Sequence, residues 1–185
     1  MATAFEVHMA PQCICLVLLV ALAGSGCSGP AFPEQTLKRF DPDKQFSIFD
    51  TEADIYLKGV TVKIGGRLLD STSLSGGIQI LAQELPLSDH SSNRPIDTVP
   101  GVGRFIVFYP ATVDPRGLQP GNKFVLLGTF ERTERLNDHG VNRILPYLRA
   151  QCLFMWKTGT YALADYPYLP DGYSALETET YCVSQ

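Results

Sequence analysis

The chain has 185 residues, 45% of them hydrophobic, and a formal charge of −4. That length fits one domain with appendages, and the average hydrophobic content excludes both wholesale disorder and a bundle of membrane helices. With 15 Lys and Arg against 19 Asp and Glu, no cationic surface of the size nucleic acid requires is expected, and no nucleic-acid partner.

From Cys13 to Ala23 the chain reads CICLVLLVALA. This is shorter than the roughly 20 apolar residues that cross a hydrocarbon core, but it matches the apolar segment of a secretory signal. The abrupt change to Ser28-Gly29-Pro30 speaks against a buried core helix, so residues 1–26 are expected to be a signal peptide. Gly24-Ser25-Gly26-Cys27 resembles a bacterial lipobox, in which the cysteine is diacylated and becomes the new N-terminus. Gly24 stands where a leucine-like residue is usual, and residues 1–26 contain no Lys or Arg. Conventional secretion with a free Cys27 is the alternative. Ser28, rather than Asp, resembles the signal for transfer to the outer membrane. The expected location is therefore that membrane, on its periplasmic side, held by acyl chains such as palmitate that each contribute about 0.8 kcal/mol per buried methylene.

Removal of residues 1–26 discards Cys13 and Cys15, and acylation uses Cys27, which leaves Cys152 and Cys182 of the five cysteines. In an oxidising compartment these two are expected to pair as a disulfide; two unrelated buried thiols are the alternative. A bridge would close a loop of roughly 30 residues, for which the chain-entropy treatment gives about 3–4 kcal/mol. Neither has a CxxC context, and no metal site is expected.

Residues 27–44, rich in Pro and polar groups, are expected to be the lipidated N-terminus and a linker, with the folded domain over 45–185. A helical turn near Phe46 to Ala53 would put Phe46 and Phe49 on one face. Strands follow. Val60, Val62 and Ile64 alternate with Thr61 and Lys63 until Gly65-Gly66, where a bulge or bend is expected. Residues 71–77 read as a turn and Ile78 to Leu85 as the returning strand. Arg104 to Tyr109 (RFIVFY) is apolar on both faces and reads as a central strand. Leu118 to Asn122 is a turn, Phe124 to Thr133 a strand, and ERLNDHG a loop. In Tyr147 to Trp156, alternation places Ala150, Cys152, Phe154 and Trp156 on one side. The fold class expected is all-β: a small antiparallel barrel of OB type, of about five to seven strands, because small sheets close to hide their edges and interior glycines let them curl. A two-layer sandwich is the alternative.

Several blocks resemble the Slp family, the carbon-starvation-inducible outer-membrane lipoproteins. The run Tyr56 to Leu69, with Gly59, Val62, Gly65 and Gly66, resembles that family's first strand block. Gln83 to Leu87 resembles its LPL segment. Gly103-Arg104-Phe105, Leu118 to Gly121 and Phe124 to Thr129 resemble its central stretch, and Pro146 to Trp156 with the tyrosine-rich tail resembles its C-terminal end. The resemblance implies a β-rich outer-membrane lipoprotein without known catalytic residues.

Enzymatic patterns are sparse. Asp89-His90 and Asp138-His139 sit in polar loops, no G-x-S-x-G elbow or Walker-type loop occurs, and no cofactor is expected. The run ERTER (131–135) reads as exposed ion pairs. The tail is more suggestive. Trp156, Tyr161, Tyr166, Tyr168 and Tyr173, followed by Tyr181, are amphipathic rings suited to sugar, peptide or membrane surfaces; alternatively they close an open barrel end. The expectation is a non-catalytic structural or binding lipoprotein whose candidate partners are an envelope glycan, lipid or protein. The alternative is an envelope or cell-wall hydrolase that uses His90 or His139 as base.

Overall fold

A computed structural model of the protein describes residues 32–40, 46–51, 54–88, 93–138 and 141–183. The expected signal peptide, Cys27, His90 and His139 lie outside these. Among the described residues eight strands occur: β1 (Thr61–Leu74), β2 (Gly77–Leu85), β3 (Arg104–Tyr109), β4 (Lys123–Asp138), β5 (Val141–Trp156), β6 (Tyr168–Leu169), β7 (Gly172–Tyr173) and β8 (Thr178–Cys182). Three single-turn helices, α1 (Glu34–Leu37), α2 (Ile48–Thr51) and α3 (Asp54–Leu57), precede them. No helix among the described residues is long and apolar enough to cross a membrane.

Six strands form one sheet in the order β3-β2-β1-β4-β5-β8, and β3 also pairs with β5 through Ile106–Tyr147, Val107–Leu148 and Phe108–Arg149. The sheet thus returns on itself as a five-stranded ring with the OB-like connectivity expected. Among the described strands only the closing pair is parallel. Where β3 leaves that edge of β5, β8 takes it over, pairing from Cys152–Cys182 to Trp156–Thr178. The ring encloses one core, built from the alternate residues Ile78, Ile80 and Ala82 of β2 and Phe105, Val107 and Tyr109 of β3, with Phe124, Leu126, Leu148 and Met155 opposite. One end is filled by Phe46 and Phe49, which share a face as expected. Their rings meet at 5.5 Å, Phe46 reaches Phe105 at 5.8 Å, and Phe49 reaches Phe130 at 5.4 Å.

Four local departures from the sequence reading have physical causes. Gly65-Gly66 does not break β1, whose register shifts later, between Leu68 and Asp70. The pair instead provides room on both faces. A Cβ on Gly65 would stand 2.5 Å from the Leu85 carbonyl and 2.7 Å from Leu87 outside the ring, and one on Gly66 would stand 2.6 Å from Phe124 Cζ inside it. The expected turn over 71–77 shrinks to Ser75-Gly76, because β1 and β2 stay paired to Leu74–Gly77. The ERLNDHG segment is mostly strand. β4 and β5 remain paired out to Asp138–Val141, and Leu136 and Leu145 pack with Ile106 and Tyr147 on the outer face. In β5 the alternation slips by one. Leu127 pairs with Cys152 but Gly128 with Ala150, so Gln151 is the extra residue of a bulge. Ala150 therefore faces the core, whereas Cys152, Phe154 and Trp156 face outward.

Part of the segment read as linker is folded. Phe32 and Phe40, on either side of α1, are buried against the outward cluster of Val125, Leu127, Phe154 and Trp156. The Phe32 and Phe154 rings meet edge-on at 6.3 Å. An exposed apolar face on β4 and β5 is thereby covered by the chain that enters the domain.

Candidate functional site

The outer face of β4 and β5 holds a buried ion pair. Lys123 opens β4 with its side chain only 1% exposed, and its Nζ lies 3.6 Å from Asp97 Oδ2, whose side chain is 3% exposed. The ammonium donates to Thr158 Oγ1 and the Gly159 carbonyl, each at 3.1 Å, and to the Tyr161 carbonyl. Asp97 Oδ2 accepts the Leu163 amide at 2.8 Å, and the Asp97 carbonyl accepts Arg67 Nη2 at 3.1 Å. Burial pushes Lys123 below the ordinary lysine range, the Asp97 charge opposes that shift and Arg67 reinforces it. Ions this far from water persist only when fully partnered. This pair ties the β2–β3 loop to residues 158–163. Sequence reasoning passed over Lys123, whose signal was a single cation at the head of the otherwise apolar KFVLLG.

A second polar group closes the other side of β8. Cys152 and Cys182 are disulfide-bonded across a directly paired register position. Lys157 Nζ bridges Glu179 at 2.9 Å and Asp114 at 3.1 Å. The Tyr181 hydroxyl donates to Glu179 Oε2 at 2.5 Å and accepts the Asp114 amide at 3.2 Å. Asp114 is held well below the usual carboxylate range, first by the Arg116 amide, then by the Arg116 guanidinium and Lys157. Glu179 is lowered by the Tyr181 hydroxyl and by Lys157. Burial raises the Tyr181 phenol, and its bond to Glu179 raises it further. Tyr181, against Tyr109 at 6.5 Å, is thus one ring of the tail that closes the fold.

The remaining aromatic residues divide. Trp156 is 2% exposed and packs edge-on to Phe154 at 4.6 Å, so it supports the sheet and presents no surface to a ligand. Tyr161 is 45% exposed, and Tyr166 is partly buried. Tyr168 and Tyr173 are each 78% exposed. They sit opposite each other in the β6–β7 hairpin, their rings T-shaped at 6.4 Å. Pro170 and Asp171 form its tip, and Ser174 N donates to the Pro167 carbonyl at 3.1 Å at its base. Beside it an open hollow of about 560 Å³ is bordered by Thr158, Gly159, Tyr161, Tyr166 and Leu169. A cleft of about 490 Å³ at the opposite end of the ring has Phe46, Phe49 and Phe130 as its floor, with Arg104 and Arg143 among its lining. Among the described residues, no three His, Cys, Asp or Glu side chains cluster as metal ligands would. Glu131, Arg132, Glu134 and Arg149 form surface ion pairs, as ERTER suggested.

The sequence model of the outer membrane lipoprotein Slp family matches residues 25–182, most of the chain. The chain belongs to the Slp family. A relative from Haemophilus influenzae, described only as an uncharacterized protein, is 28% identical over 108 residues, a stretch covering 58% of this chain and 56% of that one. The Slp resemblances read from sequence are parts of one assembly. Leu87 of the Gln83 to Leu87 block lies over Gly65 of the first, and Phe124 of the central block lies beneath Gly66. The structure joins Cys152 to Cys182 and gathers Tyr161, Tyr166, Tyr168 and Tyr173 on one loop region, but it leaves Trp156 out of that surface. What sequence reasoning missed is the support beneath the tyrosines: Lys123, Asp97, Phe32 and Phe40.

Proposed function

We propose that this Slp-family protein is a non-catalytic, lipid-anchored component of the outer membrane, facing the periplasm, with Cys27 as the acylated residue and the β-domain as a structural or binding module. The observation that carries this reading is the family match. It begins at Ser25, so the Gly24 to Cys27 lipobox-like end overlaps the span shared with outer membrane lipoproteins. The chain then has only residues 28–31 before Phe32 docks on the sheet, which suits a domain held close to its anchor. The tyrosine-bearing hairpin is the surface offered to an envelope glycan, lipid or protein, since rings with a polar tip serve wet, partly apolar contacts.

Density-gradient fractionation of envelopes tests the anchor. Wild type should band with outer-membrane porins, and Cys27→Ser should move to the soluble periplasmic fraction. Equal distribution of the two would overturn the reading. Replacing both His90 and His139 by Ala should leave the protein's envelope phenotype intact; its loss in a correctly located variant would favour a hydrolase.

A further inference from the structure

We infer that the β6–β7 hairpin, with Tyr168 and Tyr173 at its flanks and Tyr161 beside it, rests in the headgroup layer of the bilayer that holds the anchor, and so fixes how the domain sits on the membrane. This rests on the anchoring of Cys27 proposed above.

The first support is where the chain enters the fold. Phe32 is seated in the outer cluster that also contains Leu163, with Leu176 packed against it. Only residues 28–31 separate Phe32 from Cys27, and these five steps span at most about 18 Å when fully extended. The part of the domain that can meet the bilayer is therefore the part around this cluster. The second support is that the hairpin leaves from the same cluster. Leu163 lies five residues before Tyr168 and Leu176 three residues after Tyr173. The Lys123–Asp97 pair holds the Tyr161 carbonyl and the Leu163 amide at its root. The rings thus project from a clamped base rather than from a loose tail.

The third support is chemical. Tyr168 and Tyr173 remain exposed, although the same chain segment buries Trp156 and ties down Tyr181. Tyrosine has an apolar ring and a hydrogen-bonding tip, which is why it concentrates at membrane–water interfaces. From Tyr161 to Tyr173 the chain reads YALADYPYLPDGY, with Asp165 and Asp171 and no Lys or Arg. An anionic surface attracts basic segments. This one therefore suits zwitterionic headgroups.

The test uses the full lipidated protein carrying Tyr173→Trp, with Tyr168→Trp as a second position; both sites are exposed, so neither change disturbs the core. Each is reconstituted into phosphatidylcholine vesicles, and into the same vesicles made with phosphatidylcholine brominated near the headgroup end of its chains. The expected result is co-flotation with the vesicles, an emission shift to the blue relative to the Cys27→Ser form in solution, and quenching by the brominated lipid. Wild type, whose only tryptophan is the buried Trp156, should change little. Co-flotation with unshifted, unquenched emission would overturn the hairpin contact and leave the anchor standing, turning the tyrosines toward a glycan or protein. Failure to co-float would overturn the anchor and the contact together. Quenching that grows when phosphatidylglycerol replaces phosphatidylcholine would overturn the assignment to a zwitterionic surface.

Discussion

Gly66→Ala is the most informative single change in the core. The new methyl would stand 2.6 Å from Phe124 Cζ and 2.9 and 3.0 Å from its Cε atoms, where carbon pairs prefer about 3.5–4.0 Å. Phe124 has little room to yield, since it is fully buried and meets Phe105 at 6.1 Å. Overpacking of this kind costs about 1–3 kcal/mol. Replacing glycine by alanine within a strand otherwise gains about 0.5–1 kcal/mol. The clash outweighs the gain, so a net loss of about 1–2 kcal/mol is expected, or roughly 2–8 °C in Tm for a domain of this size. Urea and thermal denaturation of the oxidised protein would measure it. In a double-mutant cycle, Phe124→Leu should relieve the clash, giving a coupling of about 1 kcal/mol. A Gly66→Ala protein as stable as wild type, or strict additivity with Phe124→Leu, would refute the claim that this glycine exists to admit the ring.

Lys123→Met should destabilise by about 3–5 kcal/mol because it strands a buried Asp97, and Lys123→Met with Asp97→Leu should recover part of that loss; denaturation of both variants decides, and a single variant near wild type would contradict it. Reduction, or Cys152→Ser with Cys182→Ser, should cost about 3–4 kcal/mol for a bridge across 30 residues, visible as a Tm that falls with reductant in wild type only. The depressed Asp114 and Glu179 carry a definite sign: their folded values lie below the unfolded ones, so their contribution is complete above the unfolded carboxylate value of about 4, begins to fall below it, and is lost as pH drops through the lowered folded values. Amide exchange in β8 should therefore accelerate on acidification, and Glu179→Gln should flatten that dependence; a β8 that stays equally protected at pH 3 would contradict it.

The ring was legible because its strands alternate cleanly. Ile78, Ile80 and Ala82, and Phe105, Val107 and Tyr109, face the core as period two requires. Parity failed at Gln151, since a bulge inserts one residue without altering composition, and everything beyond it changes face. The Cys152–Cys182 bridge was foreseen from the count of remaining cysteines, but not the register that places them opposite each other. The β4–β5 extension was hidden because Leu136 is an isolated apolar residue in a polar segment, and Ile106, Leu145 and Tyr147 give it a surface only once the sheet has formed. Lys123 and Asp97 were invisible for a similar reason. They are 26 residues apart and become a pair only when the β2–β3 loop crosses the outer face, which Gly65 permits. Phe32 and Phe40 looked like linker because neither belongs to any period; their partner is the outward stripe of β5 that the bulge creates.

The aromatic tail shows why a cluster of residue types does not by itself define a site. Trp156 and Tyr181 serve the fold, one in the outer cluster and one in the Lys157–Glu179–Asp114 network. Tyr168 and Tyr173 do not, and burial together with hydrogen bonding separates the two sets.

The measurement that bears most directly on anchoring at Cys27 is the intact mass of the protein extracted from envelopes in detergent, before and after reduction. Processing and acylation predict the mass of residues 27–185 plus a diacyl or triacyl group, rising by two hydrogens on reduction as the Cys152–Cys182 bridge opens. A mass without acyl chains, in protein that still fractionates with the envelope, would contradict it.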